Sequence, residues 1–303
     1  MKRLLAVGLV CWLVAGAAGA GAYVHDYSLY RGFPPPQTPA GVKQGRLVTK
    51  HFYSHALHQR RSYLAYLPPG YASAAAHGKR FPVLYLLHAP PGRPMGYVLA
   101  GAINARADVL ISHKRIKPFI IVMPAGRSGT FGNDTEWANA RAGRYESFVL
   151  DTVRAVDARF STQATRGHRA IGGLSAGAYG ATNIALHNPK AFSVFESWSG
   201  YFTQTPTYAF KGTSTAALRA NSPSSYVASL GPTLHRLPIR AYLYQGRQDG
   251  NPIPQMQSFA RQLRGAGGHV RYSVYPGSHS WKLWRAQLPH MLEFASNSFG
   301  KTR

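Results

Sequence analysis

Two short, unbroken apolar runs constrain this chain more than any other feature: residues 81–87 (FPVLYLL) and 119–123 (FIIVM), each bounded by proline or charge. Such runs are too short for a buried helix and do not alternate with polar residues. Both faces of each segment must therefore be covered, as in the central strands of a parallel sheet. Between them, residues 98–111 are helical in composition, and Tyr145, Phe148, Val149, Val153 and Val156 recur at helical spacing. Residues 169–174 and 191–198 read as strands flanking a helix at 176–187. Residues 241–244 form a further strand, and the next helix carries Ile253, Met256, Phe259 and Leu263 on one face. Residues 270–275 are the last predicted strand and 283–297 the last helix. Residues 46–52 and 62–67 read as an antiparallel edge. The alternation predicts an α/β fold, a mostly parallel central sheet with helices on both faces.

The N-terminus has a different character. Met1-Lys2-Arg3 is basic, residues 4–14 are strongly apolar, and a small-residue run at 15–22 offers A-x-A sites at Ala18-Gly19-Ala20 and Ala20-Gly21-Ala22. This is the layout of a secretory signal peptide. Residues 4–22 are also just long enough for an uncleaved membrane anchor, although the Gly/Ala-rich second half favours cleavage. The one cysteine, Cys11, lies inside this segment, so a cleaved chain holds no thiol, which excludes disulfides and cysteine catalysis for that form. Residues 23–44, with Pro34-Pro35-Pro36 and Pro39, show no period and read as an extended Pro-rich linker. One domain over 45–300 follows, and the chain is expected to be secreted or held at the cell envelope.

Gly173-Leu174-Ser175-Ala176-Gly177 is a G-x-S-x-G pentapeptide between a predicted strand and a predicted helix, the setting of a nucleophile elbow. A serine hydroxyl needs a base to take its proton and the base needs a carboxylate to orient it, with the chain order Ser, acid, His in this fold. Only Glu196, Asp249 and Glu293 lie beyond Ser175. Glu196 sits in an apolar strand and Glu293 deep in the last helix, whereas Asp249 follows a strand in Gly246-Arg247-Gln248-Asp249. Among the later histidines, His187 and His290 fall on helices, His269 opens a strand, and His235, in a stretch read as irregular, precedes Asp249. His279, in a loop after the last strand, is the expected base. No H-E-x-x-H motif, dinucleotide fingerprint or P-loop occurs, and carboxylates are too few for a two-metal site, so no metal or cofactor is expected.

Gly-Leu-Ser-Ala-Gly at 173–177, Gly-Arg-Gln-Asp at 246–249 and Gly-Ser-His-Ser-Trp-Lys-Leu-Trp at 277–284 resemble the esterase branch of the α/β-hydrolases that includes esterase D, bacterial feruloyl esterases and the secreted mycolyltransferases of mycobacteria. LAYLPPGY at 64–71 and LYLLH at 84–88 match as well. The resemblance implies an acyl-enzyme on Ser175, with the N–H of Ala176 as one oxyanion donor. The second donor would come from the loop after the first parallel strand, here His88-Ala89-Pro90-Pro91-Gly92. Proline has no N–H, which leaves Ala89, Gly92 or Arg93. His88 stands where the mycolyltransferases carry an acidic residue, a departure from the trehalose-transferring pattern. Independently of the resemblance, Asp134 and Trp137 follow a Gly-rich loop after the strand at 119–123, on the rim expected for Ser175. Together with Trp281, whose ring like that of Trp137 offers apolar or sugar-stacking surface, they are predicted to line the substrate pocket.

The charge balance, 35 Lys+Arg against 10 Asp+Glu for a net +25, suits an anionic envelope surface. Its cations are scattered without stripes or zinc-finger spacing, which argues against nucleic acid as the partner. Three functions therefore stand: a serine ester hydrolase acting on a small-molecule, lipid or sugar ester; an envelope acyltransferase passing the acyl group to a sugar or lipid hydroxyl; and a non-catalytic basic binding module on a hydrolase scaffold.

Overall fold

The computed structural model describes Tyr30, residues 32–126 and residues 134–301. The expected signal or anchor segment, residues 1–22, lies outside the described residues. No helix among the described residues is long and apolar enough to cross a membrane.

An eight-stranded sheet runs in the order β1-β2-β4-β3-β7-β8-β9-β10. β1 (Arg46–Ser54) and β2 (Gln59–Leu67) form an antiparallel hairpin, and β2 pairs antiparallel with β4 (Ile120–Pro124). From there β3 (Val83–Leu87), β7 (Arg169–Leu174), β8 (Val194–Trp198), β9 (Arg240–Gln248) and β10 (His269–Ser278) are all parallel. A two-residue hairpin, β5 (Asn139–Ala140) and β6 (Gly143–Arg144), stands apart. The predicted parallel sheet with an antiparallel edge is what the structure shows.

The unbroken apolar runs are explained by two cores, one on each face of the sheet. In β3, Val83, Tyr85 and Leu87 point into one core while Leu84 and Leu86 point into the other. Alternate side chains leave on opposite faces, so a strand covered twice is apolar throughout unless, as with Glu196 and Ser197 in the fully buried β8, a polar residue is buried with it. The first core receives the helices Tyr145–Arg159, Ala176–His187 and Ile253–Gly265; the second receives Ile103–Ser112 and Trp281–Ser298. In chain order these become α1 (Ile103–Ser112), α2 (Tyr145–Arg159), α3 (Ala176–His187), α4 (Ile253–Gly265) and α5 (Trp281–Ser298).

Three expectations are revised. The helix expected over 98–111 is broken: a single turn, Gly96–Leu99, is followed by α1, and between them Ala102 takes a left-handed φ of 54°. His235, expected in irregular chain, lies in the last turn of the short helix Gly231–Arg236, which starts with Pro232 in its first turn. The described part of residues 23–44 does not stand away from the domain. Tyr30 is buried, the Arg285 guanidinium lies 5.7 Å from the Phe33 ring centre, and Thr38 Oγ1 donates to Asp108 Oδ2 at 3.1 Å. The same Asp108 accepts from Gly45 N–H at 2.8 Å and from the Tyr66 hydroxyl at 2.6 Å. A buried carboxylate needs several donors to offset its lost hydration, and it fastens this strap to α1.

Candidate active site

Ser175 sits between β7 and α3 with φ 55° and ψ −122°, a conformation that L side chains rarely adopt. The flanking glycines make this turn possible. A Cβ at Gly177 would collide with the Leu87 carbonyl oxygen, and one at Gly173 would meet both that oxygen and the Gly177 backbone. The pentapeptide is thus required by the close approach of α3 to the end of β3. The turn leaves Ala176 as the first residue of α3, with an N–H that has no intrahelical acceptor.

Asp249 and His279 are brought together by sheet register. Gln248 at the end of β9 is the partner of Ser278 at the end of β10, so the next residue on each strand emerges beside the other. His279 Nδ1 donates to Asp249 Oδ1 at 2.7 Å. The other carboxylate oxygen accepts the Ser199 hydroxyl proton and the Gly246 N–H at 3.3 Å. Burial alone would push the Asp249 carboxyl up, but the bonds from His279, Ser199 and Gly246 outweigh it and hold the group below the ordinary carboxylate range. Ser199, itself at φ 55°, is held in turn: Trp284 Nε1 donates to its hydroxyl at 2.9 Å, and Asn251 Nδ2 donates to its carbonyl at 3.0 Å. These supports were not read from the sequence; the available signal was the Trp198-Ser199-Gly200 step straight after a strand.

Ser175 and His279 line one cavity of about 190 Å³, walled by Tyr30, Trp281, Trp284 and the Pro90-Pro91 turn. Ser175 Oγ makes no hydrogen bond to a described residue in this geometry. Trp281 meets both Tyr30 and Tyr97 edge to face, with ring centres 6.2 and 5.6 Å apart. Tyr30, read as part of a linker, is therefore a wall of the cavity, and Gly96 is small because the Tyr30 hydroxyl occupies the space a Cβ would need.

Of the other expected pocket residues, Trp281 lines the cavity, whereas Trp137 and Asp134 do not. Trp137 is only 2% exposed; its ring fills the space beside Gly126 and Gly180, and Nε1 donates to the His88 carbonyl at 2.8 Å. It braces the 88–92 loop from beneath. Asp134 Oδ1 accepts from Glu136 N–H at 2.9 Å in a buried turn. Glu136, also buried, accepts from the Tyr201 hydroxyl and from Gln204 Nε2 at 3.1 Å; burial pushes both acids up, and the Asp134 charge adds to the rise of Glu136. His88 faces the cavity with its imidazole buried and pushed down to about 4, so the ring is neutral at pH 7. Among the expected oxyanion donors, Gly92 is corrected: its N–H is taken by the Ala89 carbonyl at 2.7 Å. Ala89, at the cavity wall, remains beside Ala176.

Comparison with known proteins adds independent evidence. Residues 54–295 match the family described as "Putative esterase". The chain is 30% identical over 166 residues to an endo-1,4-beta-xylanase/feruloyl esterase of Xylanibacter ruminicola, covering 52% of this chain and 22% of that protein. It is 24% identical over 189 residues to the iron(III) salmochelin esterase of Escherichia coli, covering 61% and 44% respectively. The chain thus spans less than half the length of these relatives. A solved ferulic acid esterase superposes with a TM-score of 0.75 at 25% identity, over 84% of this chain and all of that one.

Proposed function

The chain belongs to the Putative esterase family, and on that premise we propose that it hydrolyses a carboxylic ester through an acyl-enzyme formed on Ser175. The observation that carries this reading is the His279–Asp249 bond of 2.7 Å on neighbouring strand ends, opening onto the same cavity as a serine in a left-handed turn. His279 Nε2 takes the Ser175 hydroxyl proton while Oγ attacks the carbonyl carbon. The ionised Asp249 holds the imidazole in the tautomer with Nδ1–H and stabilises the imidazolium that forms. The Ala176 and Ala89 N–H groups would receive the oxyanion. Collapse expels the alcohol, which takes its proton from His279; water, deprotonated by the same ring, then releases the acid. The Ser175–His279 contact would form on substrate binding, as such contacts commonly tighten in the Michaelis complex.

Three aromatic side chains and two prolines around about 190 Å³ suit a compact, flat acyl group. We assign an aromatic, hydroxycinnamoyl-type acyl ester as the substrate class, in line with the feruloyl esterase activity of its relatives. Hydrolysis is preferred to acyl transfer because the similar proteins are named as esterases. The composition of residues 1–22 supports action outside the cytoplasm, with residues 45–300 as the catalytic domain. A fluorophosphonate probe should label the purified protein once, at Ser175, and Ser175→Ala should abolish both labelling and release of free acid. Labelling with unchanged stoichiometry in Ser175→Ala would overturn the assignment.

A further inference from the structure

A second concavity, about 580 Å³, lies at the opposite end of the same strands. Arg240 is the first residue of β9 and His269 the first of β10, while Asp249 and His279 follow their last residues. Nine strand residues put the two ends roughly 30 Å apart, too far for one small ester to touch both. The groove is lined by Arg240, Arg264, Arg271, His269 and His290, with Glu293 the one acid.

In a chain of net charge +25 an unpaired cation is ordinary, and arginines elsewhere also rest on carbonyls or rings, as Arg106 does on Gly101 and Arg285 on Ala100; what distinguishes this groove is that three guanidinium groups held by neutral partners line one hollow. Arg264 donates from Nε and Nη2 to the Val270 carbonyl at 3.3 and 2.9 Å. Arg271 lies over the Tyr242 ring at 5.0 Å, and Arg240 Nε donates to Ser298 Oγ at 3.3 Å. None of the three pairs with a carboxylate among the described residues. Glu293 is engaged with Arg115 at 2.5 Å. Each guanidinium is thus placed in advance without its charge being neutralised, and little side-chain entropy remains to be lost on binding.

We propose that this groove is a binding site for a phosphate-bearing anion. Arginine forks match phosphate oxygens two at a time, and several forks around one hollow favour a multiply charged oxyanion over a single carboxylate. The site does not rest on the esterase reading. Its place fits an anchoring role: with a phosphate ligand in the groove, the rim bearing Ser175 faces away from it. The phosphate could be carried by a soluble compound or by a lipid headgroup.

The test is titration calorimetry of the full chain with inorganic pyrophosphate at moderate salt. One saturable site is expected. Arg264→Gln/Arg271→Gln should weaken it at least tenfold, while Lys43→Gln/Lys211→Gln, which removes the same charge from exposed positions elsewhere, should change it less than twofold. Both variants should keep the wild-type melting temperature and ester turnover. Vesicles of phosphatidylglycerol and phosphatidylcholine form a second arm: co-sedimentation lost only in the groove variant would assign a lipid headgroup, and co-sedimentation unaffected by it a soluble phosphate. Absence of saturable pyrophosphate binding, or equal weakening in the two variants, would overturn the proposal.

Discussion

The Ser199 hydroxyl donates to the oxygen of Asp249 that His279 leaves available, so one buried carboxylate is oriented from two sides. On the proposed mechanism Ser199 is a positioning residue: it does not line the cavity, it bonds to Asp249 and not to His279, and it would act through Asp249. Ser199→Ala should lower kcat about tenfold, the equivalent of one lost hydrogen bond to a charged group, with KM unchanged. Initial rates on an aromatic ester check this; an equal rise in KM would mean that the cavity itself had been disturbed.

Asp249→Asn should cost far more, about ten-thousandfold in kcat, because an amide that accepts and donates differently favours the wrong imidazole tautomer. Stability gives a second readout. The Asp249 carboxyl lies below its ordinary range, so the folded state gains stability above that range and loses it as pH falls through the depressed value. Thermal melts from neutral to acid pH should show this loss in the wild type and a shallower one in Asp249→Asn.

Glu136 has the opposite sign. Desolvation beside Asp134 raises its carboxyl to about 8, so between the ordinary carboxylate range and about pH 8 the folded chain holds a proton that the unfolded chain has released. Stability must therefore fall as pH rises through this window. Glu136→Gln keeps an acceptor for Tyr201 and should flatten that slope, measured as melting temperature against pH; a slope unchanged in the variant would remove Glu136 as its source.

Tyr30→Ala should raise KM for a hydroxycinnamoyl ester about five- to tenfold, the scale of one lost aromatic contact, and leave an acetyl ester within about twofold. Thr38→Val, which releases the strap from Asp108 without touching the cavity, should produce the same selectivity change in weaker form. Equal losses on both esters in Tyr30→Ala would argue for general unfolding of the site.

Much of this was legible in the residues. The runs at 81–87 and 119–123 implied strands covered on both faces, and the scarcity of carboxylates after Ser175 narrowed the acid to Asp249. His279 followed from its place beyond the last strand. What the sequence left hidden depends on contacts between distant segments. Trp137 beside glycines suggested a pocket wall, yet the glycines at 126 and 180 are small because its ring packs against them. Tyr30 was masked by the prolines around it, although Tyr30 and Phe33 were large apolar residues in a stretch read as solvated linker. The spent N–H of Gly92 follows from a tight turn at Ala89 that no local pattern announces.

The pairing of Gln248 with Ser278 has a consequence for how such a chain tolerates change. The proximity of residues 249 and 279 is set by two strands lying side by side, so the connection over residues 250–268 between those strands can lengthen, shorten or exchange its helix without separating the carboxylate from the imidazole. Deleting a single residue inside either strand, by contrast, would turn the emerging side chain to the opposite face of the sheet. Length variation is thus harmless on the arc and ruinous on the rungs.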